Sequence, residues 1–138
     1  MESTNIKCKF CKVKEVKKSH NIFCSRTCRW SFEKEQYIKE WKAGTRQSLN
    51  TDLKVLPAIR TYIKNKYNNQ CARCGWHEIN PRSGIVPLEI EHIDGDWQNN
   101  KEENLIALCP NCHALTESYA NSNKGNGRWT YMKNQNKI

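Results

Sequence analysis

Apolar and polar positions divide the chain into three stretches. Between residues 6 and 28, few apolar side chains are spaced for an extended core. Trp30, Tyr37, Ile38 and Trp41 then recur at near-helical spacing. They predict a helix that starts at a Ser25 N-cap, runs toward Ala43 and stops at Gly44. Residues 45–50 read as a linker. Leu53, Leu56, Ile59, Ile63 and Tyr67 form a second apolar stripe, so a second helix is expected from about Thr51 or Asp52. Pro57 sits inside that stripe, and the helix either begins close to it or kinks there. Farther on, IVPLEIEHI alternates as a strand does from Pro87, and Leu105–Leu108 is a short second strand. The loop HIDGDWQNN lies between them, and a helix is expected after Cys112. The tail from Asn121 is polar and rich in Gly and Asn, which predicts an extended arm.

Composition adds a constraint. Hydrophobic residues make up 37% of 138 residues, too few for a large core, so a chain of this kind needs staples. Eight cysteines can supply them. The opening MESTNIKCKF leads into no apolar leader stretch, so a reducing cytoplasm is the expected setting. No run approaches the roughly 20 apolar residues of a membrane span. In that setting metal is favoured over disulfide.

The cysteines form two sets of four. Cys8-x2-Cys11 precedes Cys24-x3-Cys28, and Cys71-x2-Cys74 precedes Cys109-x2-Cys112. Two thiolates with two residues between them grip one tetrahedral metal, and two closely spaced pairs close a structural Zn²⁺ site. His20 is an alternative ligand in the first set. Cys24 and Cys28 fall at the start of the first helix, where the helix dipole favours thiolates. That arrangement resembles a treble-clef-like finger.

Charge is uneven. Residues 1–50 carry twelve Lys/Arg against five Asp/Glu, and residues 71–113 carry three against seven. A basic flank beside an acidic pocket suits a protein that holds a polyanion and also binds cations. Lys12, Lys14, Lys17, Lys18, Arg26 and Arg29 crowd the first cysteine set, and Lys124 and Arg128 lie in the tail. These eight are the candidate DNA-phosphate contacts. A solvated, zinc-stabilised knob is the plainer reading of the same charges.

The chemistry concentrates in PLEIEHIDGDWQNNKEENLIALCPNCHALT. Glu91 and His92 end a strand, Asn104 precedes the next, and His113 follows the last CxxC pair. A zinc on Cys71, Cys74, Cys109 and Cys112 would pin the second strand to the following helix and bring His113 near the first strand. This order over residues 71–116 resembles the HNH endonucleases of the zinc-bound ββα-metal subgroup, notably the small bacteriophage type. The resemblance implies metal-dependent hydrolysis of DNA, by a nick or a double-strand break, to a 5′-phosphate and a 3′-hydroxyl. It implies His92 as general base, Glu91 and His113 as ligands of a catalytic Mg²⁺ or Mn²⁺, and Asn104 as the residue that holds the loop and orients His92. The family often has Asp or His before the base where this chain has Glu91. Asp94 or Asp96 could therefore supply a ligand instead.

The expected fold is a small zinc-stabilised α+β protein. Residues 1–49 form the finger with its helix, 50–68 a linking helix, and 69–138 the HNH domain with its C-terminal arm. The expected cofactors are two structural Zn²⁺ and one catalytic divalent cation. Double-stranded DNA is the expected partner, with no membrane. Leu53, Ile59 and Ile63 pack either within the chain or at a homodimer seam. A catalytically inactive DNA-binding or phage accessory protein is the alternative function.

Overall fold

Strand β1 (Asn5–Lys7) pairs antiparallel with β2 (Glu15–Lys17), Ile6 opposite Val16. These and all elements below come from a computed structural model, which describes residues 5–17, 22–51, 54–120, 125 and 127–135. Lys18, His20, Leu53 and Lys124, each singled out in the sequence, lie outside the described residues, as do the side chains of Lys17 and Trp129.

The chain divides into two units, Met1–Gln47 and Ser48–Ile138. In the first, the β1–β2 turn closes through Cys8 N–H to Lys14 O at 2.8 Å. Helix α1 (Arg26–Lys42) begins where the Ser25 hydroxyl accepts the Cys28 N–H at 3.1 Å, as a serine N-cap should. It ends at Ala43, followed by Gly44 at φ +73°. Ile38 and Trp41, three residues apart, point inward, and Phe23 is buried with them. Trp30 does not join this core. It lies on the Trp41 side of the helix three turns earlier, where so small a unit offers no cover, and it stays 62% exposed with the Arg26 guanidinium 6.0 Å from its ring.

In the second unit, α2 (Pro57–Lys66) has Pro57 in its first turn. The proline therefore starts this helix and does not kink it, because its missing N–H costs nothing at that position. Ile59 and Ile63 are fully buried where α2 packs on a hairpin of β3 (Glu89–His92) and β4 (Leu105–Leu108). They are thus core residues and are not available to a dimer seam. The register pairs Glu89 with Leu108, Glu91 with Ile106 and His92 with Leu105. Leu105, Ala107 and Leu108 are buried. A 3-10 turn, Glu102–Asn104, leads into β4. Glu102 fastens that turn to α2, accepting the Tyr62 hydroxyl at 2.9 Å and pairing with Lys66 at 3.1 Å.

Helix α3 (Pro110–Ala114) starts two residues before Cys112, earlier than the sequence pattern implied, with Cys109 as its cap. The tail is not simply an extended arm. Arg128–Gln135 forms α4, and Tyr131 packs edge-on against Trp97 at 5.4 Å, which gives this polar segment one apolar anchor. The protein is thus a small α+β fold with one four-cysteine cluster in each unit. No helix among the described residues is long and apolar enough to cross a membrane.

Candidate active site and metal clusters

Each cluster is assembled from two knuckles. Cys8, Cys11, Cys24 and Cys28 bring their sulfurs within 4.8 Å of one another, and so do Cys71, Cys74, Cys109 and Cys112. All eight cysteines are free thiols. Neighbouring sulfurs stand 3.7 Å apart for Cys11 and Cys24, 3.5 Å for Cys24 and Cys28, and 3.8 Å for Cys74 and Cys109. A Zn–S bond of about 2.3 Å implies tetrahedron edges of about 3.8 Å, so both clusters fit a four-coordinate zinc. They are two structural metal sites.

The thiols within a cluster are electrostatically unequal. Burial alone would push the Cys8 thiol up, but backbone N–H groups of Cys24, Cys11 and Phe10 outweigh it and bring it to about 6. Cys71 reaches about 6 in the same way, burial being overcome by the N–H groups of Cys109, Cys74 and Arg73. Cys24 is pushed up to about 12 by the Cys28 thiol and then by burial. Burial first, then the Cys74 and Cys109 thiols, push Cys112 to about 12. The first thiolate in each cluster forms readily and opposes the next, which is the situation a dication resolves.

The second cluster fixes α3 against the hairpin, and that fixes His113. Side chains alternate along β3, so Glu89 and Glu91 share a face. His113 meets both of them. Its Nε2 lies 2.8 Å from Glu91 Oε2, and its Nδ1 lies 3.9 Å from Glu89 Oε2. The Ser118 hydroxyl donates to the other Glu91 oxygen at 2.5 Å, and the Tyr119 ring packs edge-on to His113 at 5.3 Å. Adjacent ligands of an octahedral Mg²⁺ at 2.0–2.1 Å stand about 3 Å apart, so the Glu91–His113 pair fits two positions of one such ion.

His92 ends β3 and is 8% exposed. It lines the same cleft as Glu91 and His113, a space of about 440 Å³. Its Nε2 is 2.8 Å from Asn100 Oδ1. The Asn100 amide nitrogen donates to Trp97 O and Gln98 O, both at 3.1 Å, so its oxygen is the atom turned to the imidazole.

Asn104 braces the loop at a distance from the ring. Its amide donates to Asp94 Oδ1 at 2.8 Å and Asn99 O at 2.7 Å, and its Oδ1 accepts the Asp94 N–H at 3.1 Å. Asn104 therefore holds the loop, and the hydrogen bond to the imidazole belongs to Asn100. Asp94 is consumed by the same network. Hydrogen bonds from Asn99, then Asn104, then the Asp96 N–H hold its carboxyl below the usual range. Asp96 accepts the Gln98 N–H at 2.9 Å, and neither aspartate lines the cleft of Glu91 and His113. Of the two ligand choices open in the sequence, the structure brings Glu91 to His113.

Of the basic residues singled out, Arg128 lines this cleft, while Arg26 and Arg29 flank Trp30 in the first unit. Lys12 and Lys14 are exposed around the first knuckle. Sequence reasoning missed Asn100, Ser118, Glu89 and Arg60. The period-2 spacing to Glu91 could have found Glu89, whereas nothing local marks Ser118.

A family model described as HNH endonuclease matches residues 71–118. Among curated proteins, H-N-H endonuclease F-TflIV of Escherichia phage T5 is 38% identical over 96 residues, covering 65% of this chain and 40% of that protein. A probable HNH endonuclease of Lactococcus phage SK1 is 29% identical over 80 residues, 52% of this chain and 79% of that one. This chain thus spans less than half the length of the T5 protein it matches. No solved structure matches the chain.

Proposed function

We propose that this chain is an HNH endonuclease that hydrolyses DNA phosphodiesters, leaving a 5′-phosphate and a 3′-hydroxyl, a reading that the family match over residues 71–118 supports. One observation carries the reading. Glu91 Oε2 and His113 Nε2 converge to 2.8 Å in the cleft that His92 also lines. Glu91 and His113 would hold a divalent cation, Mg²⁺ or Mn²⁺. Bound there, it supplies charge stabilisation for the phosphate and the departing 3′ oxygen.

The remaining work falls to the chain's own groups. His92 takes a proton from the attacking water as the O–P bond forms and the P–O3′ bond breaks. Asn100 occupies Nε2, so Nδ1 is the nitrogen open to that proton. Asn104 keeps the loop closed behind it. The two cysteine clusters hold Zn²⁺ as structural staples. Lys12, Lys14, Arg26 and Arg29 dock the first unit on duplex phosphates without reading sequence. One such site cuts one strand, so a double-strand break needs a second copy of the chain or a second event. The setting is the cytoplasm of a bacterial cell, including a phage-infected one.

The test is nicking of supercoiled plasmid with Mg²⁺, Mn²⁺ or EDTA, comparing the protein with His92→Ala. Metal-dependent nicking that is lost in His92→Ala at unchanged zinc content supports the reading. Intact plasmid in every lane, with DNA still bound, overturns it in favour of a DNA-binding module.

A further inference from the structure

The cleft carries both signs of charge. Glu89, Glu91 and His113 line it, and so do Lys54, Arg60 and Arg128. Arg60 belongs to α2, which is set firmly against the hairpin by the buried Ile59 and Ile63 on either side of it. Among the described residues, Arg60 forms no ion pair with Glu89 or Glu91, although it shares a cleft with both. It also lies one turn before Lys64, a spacing at which like charges repel. Lys64 shows the cost. Burial and then Arg60 weaken its hold on a proton, and Glu89 restores only part of it. A helix serving only the fold gains nothing from two stacked cations. A surface that receives a polyanion gains from both.

We infer that Arg60 and Lys54 hold a phosphodiester flanking the one that is cut, so that the cleft seats DNA backbone on two neighbouring phosphates. The inference rests on the nuclease reading for what happens at the first phosphate. It assigns the second seat on its own grounds. Glu89 and Glu91 repel a phosphate when no divalent cation is present. The Arg60–Lys54 seat should therefore contribute to binding even when metal is withheld.

The experiment measures binding of a fluorescein-labelled duplex by anisotropy in EDTA over a series of salt concentrations. The proteins are the wild type, Arg60→Ala, Arg60→Lys and Lys54→Ala, each checked for two zinc per chain. Losing one phosphate contact should weaken binding and lower the slope of log affinity against log salt by about 0.9. Arg60→Ala and Lys54→Ala should each show that change, and Arg60→Lys should return the slope to the wild-type value. Unchanged slopes in both alanine variants overturn the inference. Should Arg60→Ala lose zinc, Lys54→Ala, outside any helix, decides alone. Failure of the nuclease reading is separable, since it would show as uncut plasmid with the salt slopes still responding to these substitutions.

Discussion

His92 Nε2 and Asn100 Oδ1 lie 2.8 Å apart, both side chains buried. Two backbone carbonyls hold the Asn100 amide nitrogen, so the amide cannot turn over without losing both bonds. An acceptor fixed opposite Nε2 demands that Nε2 carry the hydrogen. If His92 is the base, as proposed, its base nitrogen is thereby chosen before substrate arrives. Asn100→Ala should leave zinc content intact and lower plasmid nicking by about 10- to 100-fold, short of the full 10²–10⁴ of general-base catalysis because the base itself remains. Nitrogen NMR of labelled histidine should show one His92 tautomer in the wild type and a mixture in the variant. A single tautomer in both would remove this role from Asn100.

Ser118 has a different task. Glu91 is one methylene longer than an aspartate would be, so its carboxylate has more ways to miss His113. The Ser118 hydroxyl takes one oxygen at 2.5 Å and leaves the other at His113. Ser118→Ala should weaken Mn²⁺ binding, read by electron paramagnetic resonance, by about tenfold, the scale of lost support behind a metal ligand. The nicking reaction should need correspondingly more metal, and zinc content should not change. Wild-type Mn²⁺ affinity in Ser118→Ala would mean that the hydroxyl only packs.

The paired thiols make zinc binding a proton-releasing reaction. Cys24 and Cys112, pushed up to about 12, keep their protons at neutral pH in the metal-free clusters. Zinc uptake at pH 7 should therefore expel at least one proton per cluster, measurable by calorimetry in buffers of different ionisation enthalpy. The sign for stability follows from each shift. Cys8 and Cys71 fall from 9.0 to about 6, so their contribution is complete above pH 9 and is lost as pH falls through 6. The raised pair contributes fully below pH 9 and is lost as pH rises toward 12. Metal-free protein should be most stable near pH 9 as far as these groups decide, and holoprotein should shed zinc on acidification. Zinc release independent of pH between 5 and 8 would contradict this.

Much of this arrangement was legible in the residues, for identifiable reasons. Metal ligands declare themselves by local spacing, so Cys71, Cys74, Cys109 and Cys112 could be grouped although 34 residues separate the inner pair. The strand ending at His92 and the one from Leu105 were visible as alternation, and their pairing follows from the hairpin. Asn100 and Ser118 escaped because their importance lies in what they touch after folding, eight residues away in one case and 27 in the other. Trp30 shows the converse error. Helical periodicity identified its side of α1 but could not reveal that nothing would cover it. The α4 helix was hidden by a polar composition, since its one visible anchor, Tyr131 on Trp97, is a tertiary contact.

The leading CxxC knuckles of the two clusters, Cys8–Cys11 and Cys71–Cys74, differ at one backbone position, and the difference is informative. Each turns back on itself after its second cysteine, with the next N–H bonded to the first cysteine's carbonyl, Lys12 to Cys8 at 3.1 Å and Gly75 to Cys71 at 2.8 Å. Both residues are left-handed, at φ +59° and +77°. Glycine takes that conformation freely, whereas a lysine is strained by about 1–2 kcal/mol. Lys12 is exposed, so packing does not account for its presence. Its charge does, if the first unit docks on phosphates. Lys12→Gly should therefore separate stability from function. After the entropy glycine loses on folding, the knuckle should gain about 0.5–1 kcal/mol, seen as slower zinc transfer to a chelator. Duplex binding should weaken, with the salt slope lower by about 0.9. A variant that releases zinc faster, or binds DNA with an unchanged slope, would show that the lysine serves the turn and leaves the docking to its neighbours.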